Sequence, residues 1–223
     1  MNRFIKPARK AAGVSRRRLL TGGAVVGAAS VLSVPLLADS AQAQMRRTFG
    51  ARRTMANDVQ ILNTALFYEH AAIWAYSAAA PLLSSSDVGN AVKAIAVANM
   101  EDHMEHRDTL ISVIRDLGGT PAEAQSEYDL SAYLQRGEGN LDSDVNIAKL
   151  ALALETDAAI AYGKEIAMLQ TPALITAGAS IGATEASHAT LIRAAFQSLG
   201  IDLSPIPTAF INADTRSSWV LTV

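Results

Sequence analysis

The segment Glu185-Ala-Ser-His188 sets a carboxylate and an imidazole three positions apart, which on a helix is one face and about one turn. A second histidine-bearing stretch, ANMEDHMEHRDTLI at 98–111, carries two of the chain's four histidines and four acids. Glu69 and Glu155 stand alone in apolar surroundings, ALFYEHAAI and ALALETDAAI, where an uncompensated carboxylate costs several kcal/mol to desolvate. Cysteine is absent, so a metal here can be held only by His, Asp and Glu. A Glu from each of two helices and an E-x-x-H from each of two others is the pattern of carboxylate-bridged two-metal sites in bundle cores. The alternative is a buried Glu–His polar network without metal.

Four long helical patterns carry these residues, punctuated by Gly, Pro and Ser clusters. They run from about Asp58 to Leu83, Asp87 to Leu117, Ser143 to Leu169 and Pro172 to Leu199. The first and last connections are short. The middle one, GTPAEAQSEYDLSAYLQRGEGNLD, is 24 residues with room for a short helix at 130–136. An all-α four-helix bundle with one long crossover between helices two and three accounts for this. The tail, 201–223, has aromatic and proline anchors that suit packing on the bundle.

The halves repeat. Residues 65–76 align with 151–162 at an offset of 86, with Glu69/Glu155, Ala72/Ala158, Ala75/Ala161 and Tyr76/Tyr162 identical. Helices two and four align at an offset of 82, which places His106 on His188. Each odd helix therefore has a central Glu and each even helix a central His.

The chain resembles the ferritin-like superfamily, in particular the exported bacterial ferritin-like domain proteins that include plant desiccation-related proteins. The resemblance covers about 55–200 and rests on Glu69, the His106 region, Glu155 and Glu185-x-x-His188. One position departs from the pattern: His103 stands where helix two should carry the Glu of its E-x-x-H, and Asp102 is the nearest carboxylate. The expected ligands are Glu69, His106, Glu155, Glu185 and His188, plus His103 or Asp102. The resemblance implies iron, most simply two ions, or manganese, with oxygen or peroxide as partners in ferroxidase or peroxide-handling chemistry. A non-catalytic structural or stress bundle without metal, using its surface as a homodimer, is the alternative it allows.

Around this set, Glu101, Glu105, Arg107 and Asp108 read as a solvated helix face. His70 reads as a packing or supporting histidine, and Met100, Met104 and Met168 as core fillers. Tyr76 and Tyr162 read as core, with hydrogen bonding to the site as the alternative.

The first 43 residues read as a twin-arginine export signal: SRRRLL at 15–20, an apolar small-residue stretch at 22–38, and Ala41-Gln42-Ala43 for cleavage. This predicts a periplasmic or otherwise exported protein with no membrane span after cleavage. Residues 44–57 read as a flexible lead-in. Removing 1–43 takes away seven Lys/Arg and one acid and leaves 12 basic against 20 acidic residues, a formal charge of −8. That charge disfavours nucleic-acid binding.

Overall fold

The computed structural model describes residues 37–223, and the side chains from Gly50 onward except that of Arg52. Every regular element among the described residues is helical: α1 (Leu37–Ala79), α2 (Asp87–Asp116), α3 (Ser131–Gln135), α4 (Asp144–Ile166), α5 (Pro172–Ser198) and α6 (Arg216–Trp219). A 3₁₀ turn, Ala80–Leu82, closes α1. Residues Gln44–Val223 form one compact unit; the signal's residues 1–36 lie outside the described residues. No described helix is long and apolar enough to cross a membrane.

The helix ends follow from local chemistry. Ser86 caps α2 by accepting from the Gly89 amide at 3.0 Å, and Ser143 caps α4 by accepting from the Asn146 amide at 3.3 Å. Gly118 (φ 78°) and Gly200 (φ 87°) close α2 and α5 in the left-handed region, where a side chain is strained. Both lie at matched places in the repeat. At its other end α1 differs from expectation, because residues 44–57 continue it as helix instead of forming a flexible lead-in. The segment is mostly Ala, Gln, Met and Arg, all good helix formers, and one Gly50 costs only about 1 kcal/mol.

Contacts between ends fix the topology. The middle of α1 meets the chain just past the end of α4, where Asn57 donates to the Met168 carbonyl at 3.1 Å. Its far end meets the start of α4, where the Ser84 hydroxyl donates to Asp144 at 2.6 Å. Asn63, a little past the middle of α1, donates to the Thr120 carbonyl just past α2 at 3.1 Å. Thus α1 is antiparallel to both α2 and α4, and α2 and α4 are parallel. The chain must return the length of the bundle between them, and residues 117–143, with α3 inside, make that crossover.

The tail packs on the bundle as expected. Trp219 is buried with Ala148, Leu152, Ala189, Ile192 and Phe196. Arg216 grips two carboxylates at once, Glu138 of the crossover (2.6 and 2.8 Å) and Asp157 of α4 (2.5 and 2.9 Å). Paired guanidinium bonds, working against burial, hold the Glu138 carboxyl down to about 2. A second apolar cluster, with Leu62, Leu66, Leu110, Ile114, Tyr162 and Ile181, fills the opposite end. Met168, expected in the core, is 54% exposed because α4 stops at Ile166.

Asp58 shows how the ends are joined. Fully buried on α1, it accepts from the Gln170 amide (2.9 Å), the Thr171 amide (3.1 Å) and the Thr171 hydroxyl (2.6 Å), so one helix supplies the cap of another. Asp58→Ala leaves these donors unmatched. It is expected to lower the unfolding free energy by about 2–3 kcal/mol in urea titrations and to leave metal content unchanged.

Candidate metal centre

Between the two apolar clusters the four long helices turn polar residues inward. From α1 comes Glu69, from α2 Asn99, His103 and His106, from α4 Glu155, and from α5 Glu185 and His188; all are buried except His106, which is slightly open. The sequence positions them by turn spacing. His103 and His106 share one face of α2, as do Glu185 and His188 of α5.

Two overlapping groups have ligand atoms within 4.8 Å of one another: Glu69, His103, His106 and Glu185, and His103, Glu155, Glu185 and His188. Six of the seven expected ligands therefore converge. Asp102, the seventh, sits at the rim with its side chain 54% exposed and reaches His188 Nε2 at 3.1 Å. His103 occupies the centre: Nδ1 lies 2.8 Å from Glu69 Oε2 and Nε2 lies 3.3 Å from Glu155 Oε1. Of the two residues considered for the missing helix-two carboxylate, the imidazole spans the cluster and Asp102 supports a histidine from outside.

The two halves of the cluster differ in how well they are satisfied. Glu155 Oε1 accepts from the Tyr76 hydroxyl, from Asn99 Nδ2 at 3.1 Å and from His103, and Oε2 is met by His188 Nδ1 at 3.2 Å. By contrast, His106 Nδ1 and both oxygens of Glu185 are buried without a hydrogen bond. His106 Nδ1 lies 3.1 Å from Glu185 Oε1, close enough for an ion pair but without the angle a hydrogen bond requires, and 3.6 Å from Glu69 Oε2, beyond hydrogen-bond distance. Three buried, unsatisfied donor atoms of the types that bind divalent metals fit a cation among Glu69, His106 and Glu185.

Tyr76 and Tyr162 prove to be part of the site. Tyr76 of α1 donates to Glu155 of α4, and Tyr162 of α4 donates to Glu69 of α1. The exchange is reciprocal because these four residues are related by the repeat and the helices are antiparallel. Burial, then the carboxylate charges, push both phenols well up, which keeps them as donors. His70 instead faces the crossover, 3.2 Å from the Ala122 carbonyl. Glu101, Asp102, Glu105 and Asp108 are on the exposed face of α2, with Arg107 paired to Asp108 at 2.7 Å.

Asn99 and Glu165 carry no signal in the sequence. Asn99 is one asparagine among several, and its role depends on Tyr76 and Glu155 from other helices. Glu165 looks like a helix-end acid, yet it is buried with Oε2 unpartnered, and burial, then the charge of Glu69, pushes it up to about 7.

A model of the ferritin-like domain family matches residues 57–198. The chain belongs to this family. Among solved structures it is similar to a conserved hypothetical protein, rv2844, from Mycobacterium tuberculosis, with 23% identity over 62% of this chain and 96% of that one and a TM-score of 0.53. That likeness concerns the fold. No curated protein matches the chain.

The electrostatics of the metal-free cluster are set by its equal numbers of acids and imidazoles. Burial lowers the histidines, but Glu155 and Glu69 overcome it for His103, held well above its ordinary value. Glu185 and Glu69 carry His106 up to about 9, and Glu155 and Glu185 carry His188 up to about 10, in each case against burial. Glu69 and Glu155 are raised by burial but end below the usual carboxylate range through their histidines. Glu185 remains raised, with burial dominant. Histidines with raised folded-state values stabilise the fold fully below about 6.5 and lose that contribution as pH rises through 9 to 10. The metal-free protein is expected to melt roughly 5 °C lower at pH 10 than at pH 6.5 by calorimetry. A His106→Gln/His188→Gln variant should flatten that dependence.

Proposed function

We propose that this is an exported ferritin-like metalloprotein whose Glu/His cluster holds iron, with the first ion among Glu69, His106 and Glu185 and a second, where it binds, toward Glu155 and His188. The observation that carries the reading is the buried, unsatisfied trio of His106 Nδ1 and the two Glu185 oxygens, flanked by Glu69. Carboxylate oxygens and imidazole nitrogens suit iron or manganese. Such an ion supplies redox and Lewis-acid chemistry toward oxygen or peroxide.

The chain's own residues set the conditions for it. Glu185 belongs to both groups, and neither of its oxygens accepts a hydrogen bond. Tyr162 and Tyr76 hold Glu69 and Glu155 in place by donating to one oxygen of each. Metal binding displaces protons from the histidines, so apparent affinity should rise by at least about tenfold per pH unit between pH 6 and 8. The reading in stress defence rests on the resemblance to desiccation-related proteins, and export on the twin-arginine segment. Arg16→Lys/Arg17→Lys should leave the protein in the cytoplasm by fractionation; unchanged export would refute that route.

A second reading rests on a specific observation as well. The His103 ring, protonated, donates at both nitrogens and so stands as a cation between Glu69 and Glu155. On this reading the cluster is a metal-free network in a structural bundle. Elemental analysis of protein purified without chelator and loaded anaerobically with ferrous iron decides between them. One to two equivalents of iron or manganese, lost in His106→Ala/His188→Ala, support the metalloprotein. No stoichiometric metal after loading establishes the structural network.

A further inference from the structure

Two residues of the cluster, His103 and Glu185, stand in both of its ligand groups. They are also repeat partners, one on each even helix at the offset that superposes His106 on His188. The position they share is the one from which a side chain can serve two ions at once. Glu185 keeps a carboxylate there. His103 instead sets an imidazole between the other two histidines, its ring 6.1 Å from that of His106 and 5.4 Å from that of His188.

The ring engages the groups that a second ion would need. Nδ1 lies 2.8 Å from Glu69 Oε2, and Nε2 lies 3.3 Å from Glu155 Oε1 and 3.8 Å from Glu185 Oε2. An ionised carboxylate only accepts, so the hydrogen bonds to Glu69 and Glu155 each require a hydrogen on the ring nitrogen, and neither nitrogen keeps a lone pair for a metal. The same Glu155 oxygen also takes Tyr76 and Asn99, and its second oxygen meets His188 Nδ1 at 3.2 Å. His103, 2% exposed, is thus a fixed cation among three buried carboxylates.

Charge then limits what else fits. Three carboxylates against one imidazolium leave the buried set at −2, which one divalent ion neutralises. A second divalent ion leaves an excess of positive charge out of reach of water, which is unfavourable. Asp102, its side chain 54% exposed at the rim, is screened by solvent, and Glu165, the other buried carboxyl of α4, belongs to neither group. His103→Glu would raise the set to four carboxylates, the charge that two divalent ions balance.

We propose that His103 occupies the place of the second metal ion, so that the cluster takes a single divalent ion, on its Glu69–His106–Glu185 side. That this ion binds the native chain rests on the metalloprotein reading; that His103 closes the second position does not.

The test titrates manganous and ferrous ions anaerobically into the full chain, its His103→Glu variant and its His103→Ala variant, with folding checked by circular dichroism and bound metal counted after desalting. The parent is expected to hold about one equivalent and His103→Glu about two. With manganese, the parent should give the hyperfine-split paramagnetic resonance of an isolated ion, weakened at least about fivefold per ion in His103→Glu by coupling between neighbouring ions. Should His103→Glu fail to fold, His103→Ala decides: it clears the position without adding charge and is expected to gain the second equivalent at lower affinity. Two equivalents in the parent, or no gain in the folded variants, overturns the proposal. A parent without metal whose His103→Glu variant binds it upholds the role of His103 and refutes the native metalloprotein. Metal in neither refutes both.

Discussion

Three carboxylates buried in the middle of an apolar bundle set the terms for everything around them. Glu69, Glu155 and Glu185 are each at most 2% exposed, and carboxylates so placed persist as anions only where cations and donors surround them. The bundle meets this with three imidazoles and two phenols, delivered from all four long helices. The duplicated segment explains the economy of the arrangement. Glu and Tyr seven residues apart on one helix lie about 10 Å apart along its axis. An antiparallel copy then brings each Tyr opposite the other helix's Glu, so one sequence unit satisfies both carboxylates. The crossover follows from the same requirement, because α2 and α4 must run parallel for the two copies to face each other.

The repeat is broken on one side only. At the offset that aligns His106 with His188, His103 falls on Glu185 and Asn99 falls on Ile181. Both departures lie on α2, one turn apart, and both supply donors to Glu155. Exchanging a carboxylate for an imidazole and an aliphatic for an amide removes a negative charge and adds donors at the same carboxylate. The consequence is a lopsided cluster: Glu155 has its full complement of partners, while Glu185 and His106 are left with open valences. A cation placed near Glu155 competes with four hydrogen-bond contacts, and one near Glu185 displaces no hydrogen bond, only the ion-pair contact with His106 at 3.1 Å.

Much of this was legible in the sequence, and the limits have physical causes. Helix bounds were readable to within a few residues because serine caps, closing glycines and Pro172 are local signals. The extension of α1 was missed because arginines and a glycine look like a loop, although the backbone tolerates them in a helix. The central Glu and His residues were visible as polar residues on apolar faces. Asp102 was not separable from His103 by spacing alone, since a rotation of about 100° per residue leaves either near the inner face. Asn99, Glu165 and the Tyr–Glu exchange depend on which helices touch, and no single helix encodes that.

The charge balance also bears on how the fold and the metal relate. In a structural metal site the ligands repel one another without the ion, and its binding energy is folding energy. Here protons can take the place of the ion: with three histidines held protonated against three carboxylates, the metal-free cluster approaches neutrality. The bundle can therefore form first and exchange protons for metal afterwards. The part of the cluster that gains most from the exchange is the Glu185–His106 side, because protons alone leave its buried atoms without hydrogen bonds. On the metalloprotein reading, this charge balance lets folding precede loading, and pH couples the two through the protons the histidines give up.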